Sequence, residues 1–113
     1  MVGNATYPAQ DDENPASLSR RIVSGLLREQ LAFNGVAITD DLGAGAITGA
    51  GYEEGEAAVA AAKAGNDLLL FALSEGDAAH EALTKAIRGH KALRAKAVAS
   101  CARIEALREG FAA

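Results

Sequence analysis

The stretch V-A-I-T-D-D-L-G-A-G-A-I, from Val36 to Ile47, most constrains what this chain can fold into. A short apolar run ends abruptly in two adjacent carboxylates, Asp40 and Asp41, and a loop rich in Gly and Ala follows. The run Val36–Thr39 predicts a short buried strand. An acid at the carboxyl end of a buried parallel strand is where α/β barrels place catalytic groups. The segment therefore predicts both a fold class and a candidate active site.

The flanking sequence supplies alternating elements. Residues 1–7 are a weak strand candidate, and residues 8–17 read as a polar loop punctuated by Pro8 and Pro15. Ser19 can cap a helix running to about Leu31, with Ile22, Val23, Leu26, Leu27 and Leu31 at helical spacing. Asn34-Gly35 reads as a helix stop or tight turn. Residues 40–52 form a loop with four glycines. A second helix is expected over Glu53–Ala64, ended by Gly65 in a left-handed cap. Leu68–Leu73 is a continuous apolar run, as for a strand covered on both faces. After a turn at Ser74-Glu75-Gly76, Asp77 can cap a third helix to about Arg88. Gly89 breaks it, and Lys91–Glu109 is a final helix. The order is β-α-β-α-β-α-α, which implies α/β architecture with parallel strands joined by right-handed crossovers.

Length and charge narrow the function classes. A chain of 113 residues builds one small domain with a modest core. Half of the residues are hydrophobic but only 4% are aromatic, so alanine-rich helices must pack closely on something else. A net charge of −4 gives no global attraction to nucleic acid or to an anionic membrane. Cys101 is the single cysteine, so no internal disulfide forms, which fits a reducing, cytoplasmic setting. No basic start precedes a long apolar run, so neither a signal peptide nor a membrane span is expected. Met1–Pro8 reads like the end of a strand and its loop, as though the chain begins within a fold.

Several other residues have plain structural readings. Asp67, at the start of its strand, is expected to be a structural hydrogen-bonding group on the barrel face associated with stability. The glycines at 43, 45, 49 and 51 lack the Lys and spacing of a phosphate loop and relieve crowding instead. His80 and His90 read as solvated helix residues, since two isolated histidines do not make a metal site. Cys101 reads as a small core or partly buried residue. Lys85, Arg88, Lys91, Arg94, Lys96, Arg103 and Arg108, without interleaved aromatics, read as a solvated helix face rather than a nucleic-acid surface.

Four ordered segments resemble the catalytic barrel of the family-three glycoside hydrolases, specifically bacterial β-N-acetylhexosaminidases. M-V-G-N-A-T-Y-P-A at 1–9 is similar to the sixth-strand segment and its loop, and N-P-A-S-L-S at 14–19 to the entry into the next helix. G-V-A-I-T-D-D-L-G-A-G-A-I at 35–47 is similar to the nucleophile segment on the seventh strand, and A-G-N-D-L-L-L-F at 64–71 to the eighth strand. The resemblance covers residues 1–73 closely and the last helices loosely. It implies a partial TIM-type (β/α)8 barrel, its last three β/α units, with residues 1–113 forming the C-terminal part of the catalytic domain.

The resemblance implies roles. Asp40 matches the catalytic nucleophile of a retaining glycosidase, which attacks the anomeric carbon and forms a covalent glycosyl-enzyme. Asp41 matches the second acid of the motif and supports loop geometry. The small residues from Gly43 to Ala46 would let the loop approach the sugar. Substrate would be a terminal β-linked N-acetylglucosamine of a cell-wall muropeptide or chitin-type oligosaccharide, with no metal or organic cofactor.

Departures limit the resemblance. Ala44 stands where the family often has methionine. The family's acid/base histidine with its aspartate partner, a Lys-His motif and the sugar-binding arginine and aspartate all belong to earlier barrel segments absent here. Three strands cannot close a barrel that takes about 250 residues. Open strand edges invite pairing with another copy or with a missing barrel half. The chain alone is therefore expected to associate, rearrange or be marginally stable, and to be inactive. A non-catalytic assembly module and a β-glucosidase of the same family are the alternatives.

Overall fold

Ile38–Asp41 (β1) and Leu68–Leu70 (β2) lie side by side and parallel, in a computed structural model that describes residues 1–111. Val2 adds a single parallel bridge opposite Thr39. It donates its N–H to Ile38 O and accepts from the Asp40 N–H, both at 2.8 Å. The weak first strand is thus one residue of pairing. Around these run a 3-10 turn at Ala16–Leu18, a π-wound helix at Arg21–Gln30, and the helices Gly45–Thr48 (α1), Glu54–Ala64 (α2), Asp77–Gly89 (α3) and Lys91–Phe111 (α4). The described residues are a mixed α/β arrangement with two parallel strands.

Both strands depart from their expected limits. β1 starts two residues after Val36 and takes in both aspartates, so the acids are the last rungs of the strand rather than its sequel. β2 stops at Leu70, and the expected cover on both faces is missing: Leu73 is 82% exposed and Leu68 38%. Among the described residues no further strand pairs with β2, so its outer edge stays open.

Ser19 caps the first helix as expected, its Oγ accepting the Ile22 N–H at 3.2 Å and its carbonyl the Val23 N–H at 2.9 Å. The winding then widens, with the Leu31 N–H reaching Leu26 O five residues back at 2.9 Å. The wider turn breaks the expected apolar stripe: Val23 is buried, but Leu31 points to solvent. The helix ends before Asn34-Gly35, with Ala32 at φ +55° just past it, and the reversal runs through bends at Leu31 and Gly35. The Arg28 guanidinium braces this reversal by donating to Gly35 O at 3.1 Å.

Helix α2 keeps its expected end at Gly65 and starts one residue later than expected, at Glu54. Glu53 and Glu56 form a reciprocal capping box, and Gly65 closes the helix at φ +118°. Its buried face is Ala57, Ala58, Ala61 and Ala64. Gly55 lets α3 come close, since a Cβ there would stand 2.9 Å from Ala82 Cβ. Helix α3 departs from expectation at its start: Gly76, at φ +75°, occupies the cap, and Asp77 lies in the first turn, where its charge suits the helix dipole.

The core that positions the strand ends joins Leu18, Leu42, Ile47, Ala57 and Ala61, with Tyr52, Leu69 and Phe71 packed against it. Ile47 is fully buried and sits in α1, inside the segment expected to be loop alone. It pins the chain after β1 to the core. The segment 8–17 also differs from a plain polar loop. Pro15, Ala16 and Ser17 are buried, as are Leu18 and Ser19 beyond it.

Candidate active site at the carboxyl ends of the strands

The two adjacent aspartates have different surroundings. The Asp40 carboxylate accepts the Asp41 N–H through Oδ1 at 2.7 Å, and its Oδ2 accepts no protein hydrogen bond among the described residues. Asp40 is half-buried, as is Asp41. A strand-end carboxylate with one oxygen fixed and one free can act as a base, a nucleophile or a point charge.

Asp41 is tied on several sides. Its Oδ1 accepts the Gly43 N–H at 2.9 Å and the Ala72 N–H at 3.1 Å. Its carbonyl accepts Asn4 Nδ2 at 2.7 Å. These bonds join the loop after β1 to the end of β2 and to the loop after Val2. Asp41 thus holds three strand-end segments together.

A third carboxylate, Asp11, organises the first loop. Its Oδ1 accepts the Glu13 and Asn14 N–H groups at 3.1 and 3.2 Å, and its Oδ2 accepts the Ser19 hydroxyl at 2.6 Å. The Ser19 bond holds the Asp11 carboxyl below the ordinary aspartate value; burial opposes this, while Asn14 and the Glu13 N–H reinforce it. The Ser17 hydroxyl donates to Asn4 Oδ1 at 2.7 Å, and the Tyr52 hydroxyl to Asn14 Oδ1 at 2.8 Å. Asn4, Asp11, Asn14 and Tyr52 were not among the expected site residues. Asp11 had a local signal, an aspartate followed by donors two and three residues on. Asn4 and Tyr52 act across 37 and 38 residues of chain, where no local pattern reaches.

At the opposite end of β2, Asp67 is the structural hydrogen-bonding group expected of it. Its side chain is fully buried and pairs with Arg28 at 2.6 Å and Arg103 at 2.9 Å. It also accepts the Ser100 hydroxyl at 2.7 Å and the Ala37 N–H at 2.9 Å. Burial alone would push this carboxyl up, but the bonds from Arg103, Ser100, Ala37 and Arg28 outweigh it and hold it below the ordinary value. Arg103 therefore leaves the expected solvated basic face and turns inward. Lys96 follows it partway: burial, then Arg20, Arg28 and Arg103, lower its value. Cys101 is exposed rather than partly buried, because α4 buries only Leu93. His80 and His90 are exposed helix-surface residues, as expected.

Among the described residues, no group of three or more His, Cys, Asp or Glu side chains is placed to hold a metal ion. No helix among them is long and apolar enough to cross a membrane.

Comparison with known proteins gives this geometry a context. The sequence pattern described as the glycosyl hydrolase family 3 N terminal domain matches residues 1–107. An uncharacterized secreted glycosyl hydrolase of Arthroderma benhamiae is 34% identical over 116 aligned positions, covering 100% of this chain and 33% of that protein. A beta-hexosaminidase of Idiomarina loihiensis is 43% identical over 70 positions, 62% of this chain and 21% of that protein. The crystal structure of a beta-N-acetylhexosaminidase from Beutenbergia cavernae superposes with a TM-score of 0.85 at 29% identity, over 96% of this chain and 34% of that one. This chain thus spans about a third or less of the relatives it matches. From the match over residues 1–107, the chain belongs to glycosyl hydrolase family 3, as part of its N-terminal domain.

Proposed function

We propose that this chain is the nucleophile-bearing part of a β-N-acetylhexosaminidase, with Asp40 attacking the anomeric carbon. The observation that carries this reading is the contrast between the two aspartates. Asp40 Oδ1 takes only the N–H of the adjacent Asp41, whereas Asp41 Oδ1 is shared by Gly43 and Ala72 on two different segments and its carbonyl takes Asn4; Oδ2 of each accepts no protein hydrogen bond among the described residues. The family membership and the beta-hexosaminidase relatives support the reaction class.

In this reading residues 1–113 are the last three β/α units of a TIM-type (β/α)8 barrel. The substrate is a terminal β-linked N-acetylglucosamine. Attack by Asp40 Oδ2 forms a bond to the anomeric carbon and expels the leaving oxygen, which an acid from the rest of the barrel protonates. That group then activates water, which releases the sugar with retained configuration. Asp41 supports the loop and takes no part in bond making. The chain needs the rest of a barrel for turnover, and the open β2 edge is where it would dock.

The test joins this chain to the missing barrel portion, taken from the Beutenbergia cavernae relative. Turnover of an aryl β-N-acetylglucosaminide is expected, and Asp40→Ala should abolish it, a loss of about 10⁴-fold or more for removing a nucleophile. Retained turnover in the Asp40→Ala protein would refute the assignment. A second reading, a non-catalytic assembly module, is favoured by the same open edge and by exposed Leu68 and Leu73. It predicts a stable complex with a partner and no turnover in the completed barrel.

A further inference from the structure

The ladder between β1 and β2 slips by one residue just before Asp40. Ile38 faces Leu68 and Asp41 faces Leu70, so three steps along β1 match two along β2. β1 therefore carries a bulge at Thr39–Asp40. In an unbroken register Asp40 would face Leu70, and the Asp41 N–H would be given to Leu70 O. Instead the Leu42 N–H takes Leu70 O at 2.9 Å. The Asp41 N–H is released from the ladder and turns to Asp40 Oδ1 at 2.7 Å.

Thr39 is placed to hold this slip. It is fully buried, and its Oγ1 accepts the Leu70 N–H at 3.0 Å, so a side chain enters the ladder where the register shifts. On the other side, Thr39 is bridged to Val2, with Ile38 O and the Asp40 N–H both engaged. The bulge residue next to Asp40 is thus clamped from both neighbouring segments.

We propose that Thr39 is a positioning residue, whose hydroxyl pins the β1 bulge so that the Asp41 N–H is free to orient the Asp40 carboxylate. The functional meaning rests on the reading of Asp40 as nucleophile. The geometric claim does not, and is tested without turnover. Bulges beside active sites re-aim side chains, and here the re-aimed group is the backbone donor that fixes one oxygen of Asp40. A valine at position 39 keeps the shape and β-branching but leaves the Leu70 N–H without this acceptor.

The test is nuclear magnetic resonance on the whole chain. In the wild type, the Asp41 amide should exchange slowly, and Asp40→Ala should speed its exchange, because the Asp40 carboxylate is its acceptor. In Thr39→Val, exchange of the Leu70 and Asp41 amides should rise by about tenfold or more, which corresponds to about 1.4 kcal/mol of lost local protection. The Asp40 carboxyl carbon should move, while Asp11 and Asp67 stay as they were. Thr39→Ser should restore all of these. A purely structural Thr39 would lower the melting temperature and leave the Asp40 and Asp41 signals unmoved, which would overturn the proposal. Should Thr39→Val not fold, the Asp40→Ala comparison decides: an Asp41 amide that exchanges at the same rate with and without the Asp40 carboxylate refutes the arrangement. If the arrangement holds while Asp40→Ala retains turnover in the completed barrel, only the nucleophile reading falls.

Discussion

At Asp67 two guanidinium groups, a hydroxyl and a backbone N–H converge on one buried carboxylate. Replacing it with Ala leaves Arg28 and Arg103 facing each other without their anion. Both are partly exposed, which softens the cost. The expected loss is about 2–4 kcal/mol, read as a lower urea midpoint. The pH dependence has a defined sign. Because the folded value lies below the ordinary 3.8, the Asp67 contribution is complete above the unfolded value and is lost as pH falls through the folded one. Wild type should therefore lose stability below about pH 4 more steeply than Asp67→Asn. Parallel acid curves for the two proteins would contradict the hub. Asp67 was readable as structural from its place at a strand start. Its partners were not, because Arg28 and Arg103 lie 39 and 36 residues away and local charge pattern assigned Arg103 to solvent.

Helix ends show what sequence makes legible at the scale of an element. Gly65 ends α2 because only a residue without Cβ accepts φ +118° cheaply, and an added Cβ would stand 2.7 Å from Ser24 Oγ. That hydroxyl donates to Ala64 O at 2.6 Å, so Gly65→Ala should disturb a cap and a tertiary bond together. A loss of about 1–3 kcal/mol is expected by thermal melting. A neutral Gly65→Ala would contradict this packing. The Gly65 end is legible because capping is local chemistry, whereas the Glu53–Glu56 capping box appears only in the structure. The first helix was legible at Ser19 but not at its end, since the spacing of Ile22, Val23, Leu26, Leu27 and Leu31 assumes ordinary winding. A π-wound course moves Leu31 off the face. The limits of β1 also differ from those of the apolar run. Apolar character ends at Thr39, but pairing continues through Asp40 and Asp41, because ladder bonds are made by backbone and do not need apolar side chains.

The whole molecule is a sheet with an unfinished edge. β2 offers backbone donors and acceptors with no partner strand among the described residues, beside exposed Leu68 and Leu73. Adding the remaining barrel segment should stabilise the chain with the logarithm of its concentration, by about 2.7 kcal/mol at a hundredfold excess over Kd, read as a rising melting temperature. Sedimentation should show the free chain self-associating as concentration rises. A monodisperse monomer indifferent to the added segment would contradict the open-edge reading. The four ordered motifs make the family legible in the sequence, and the match over residues 1–107 establishes it. The site was legible only in part: Asp40 and Asp41 stand out in the sequence, whereas Asn4, Asn14 and Tyr52, which tie the loops around them, become visible only when the strand ends meet.

The central claim is that Asp40 forms the covalent bond to the sugar. It is tested most directly by trapping. The chain completed with the Beutenbergia cavernae barrel portion is incubated with an activated fluorinated N-acetylglucosaminyl fluoride, and the modified residue is located by peptide mass mapping. A glycosyl adduct on Asp40, absent from Asp40→Ala, is the predicted result. An adduct on Asp41 or another residue, or no adduct while turnover proceeds, would contradict it.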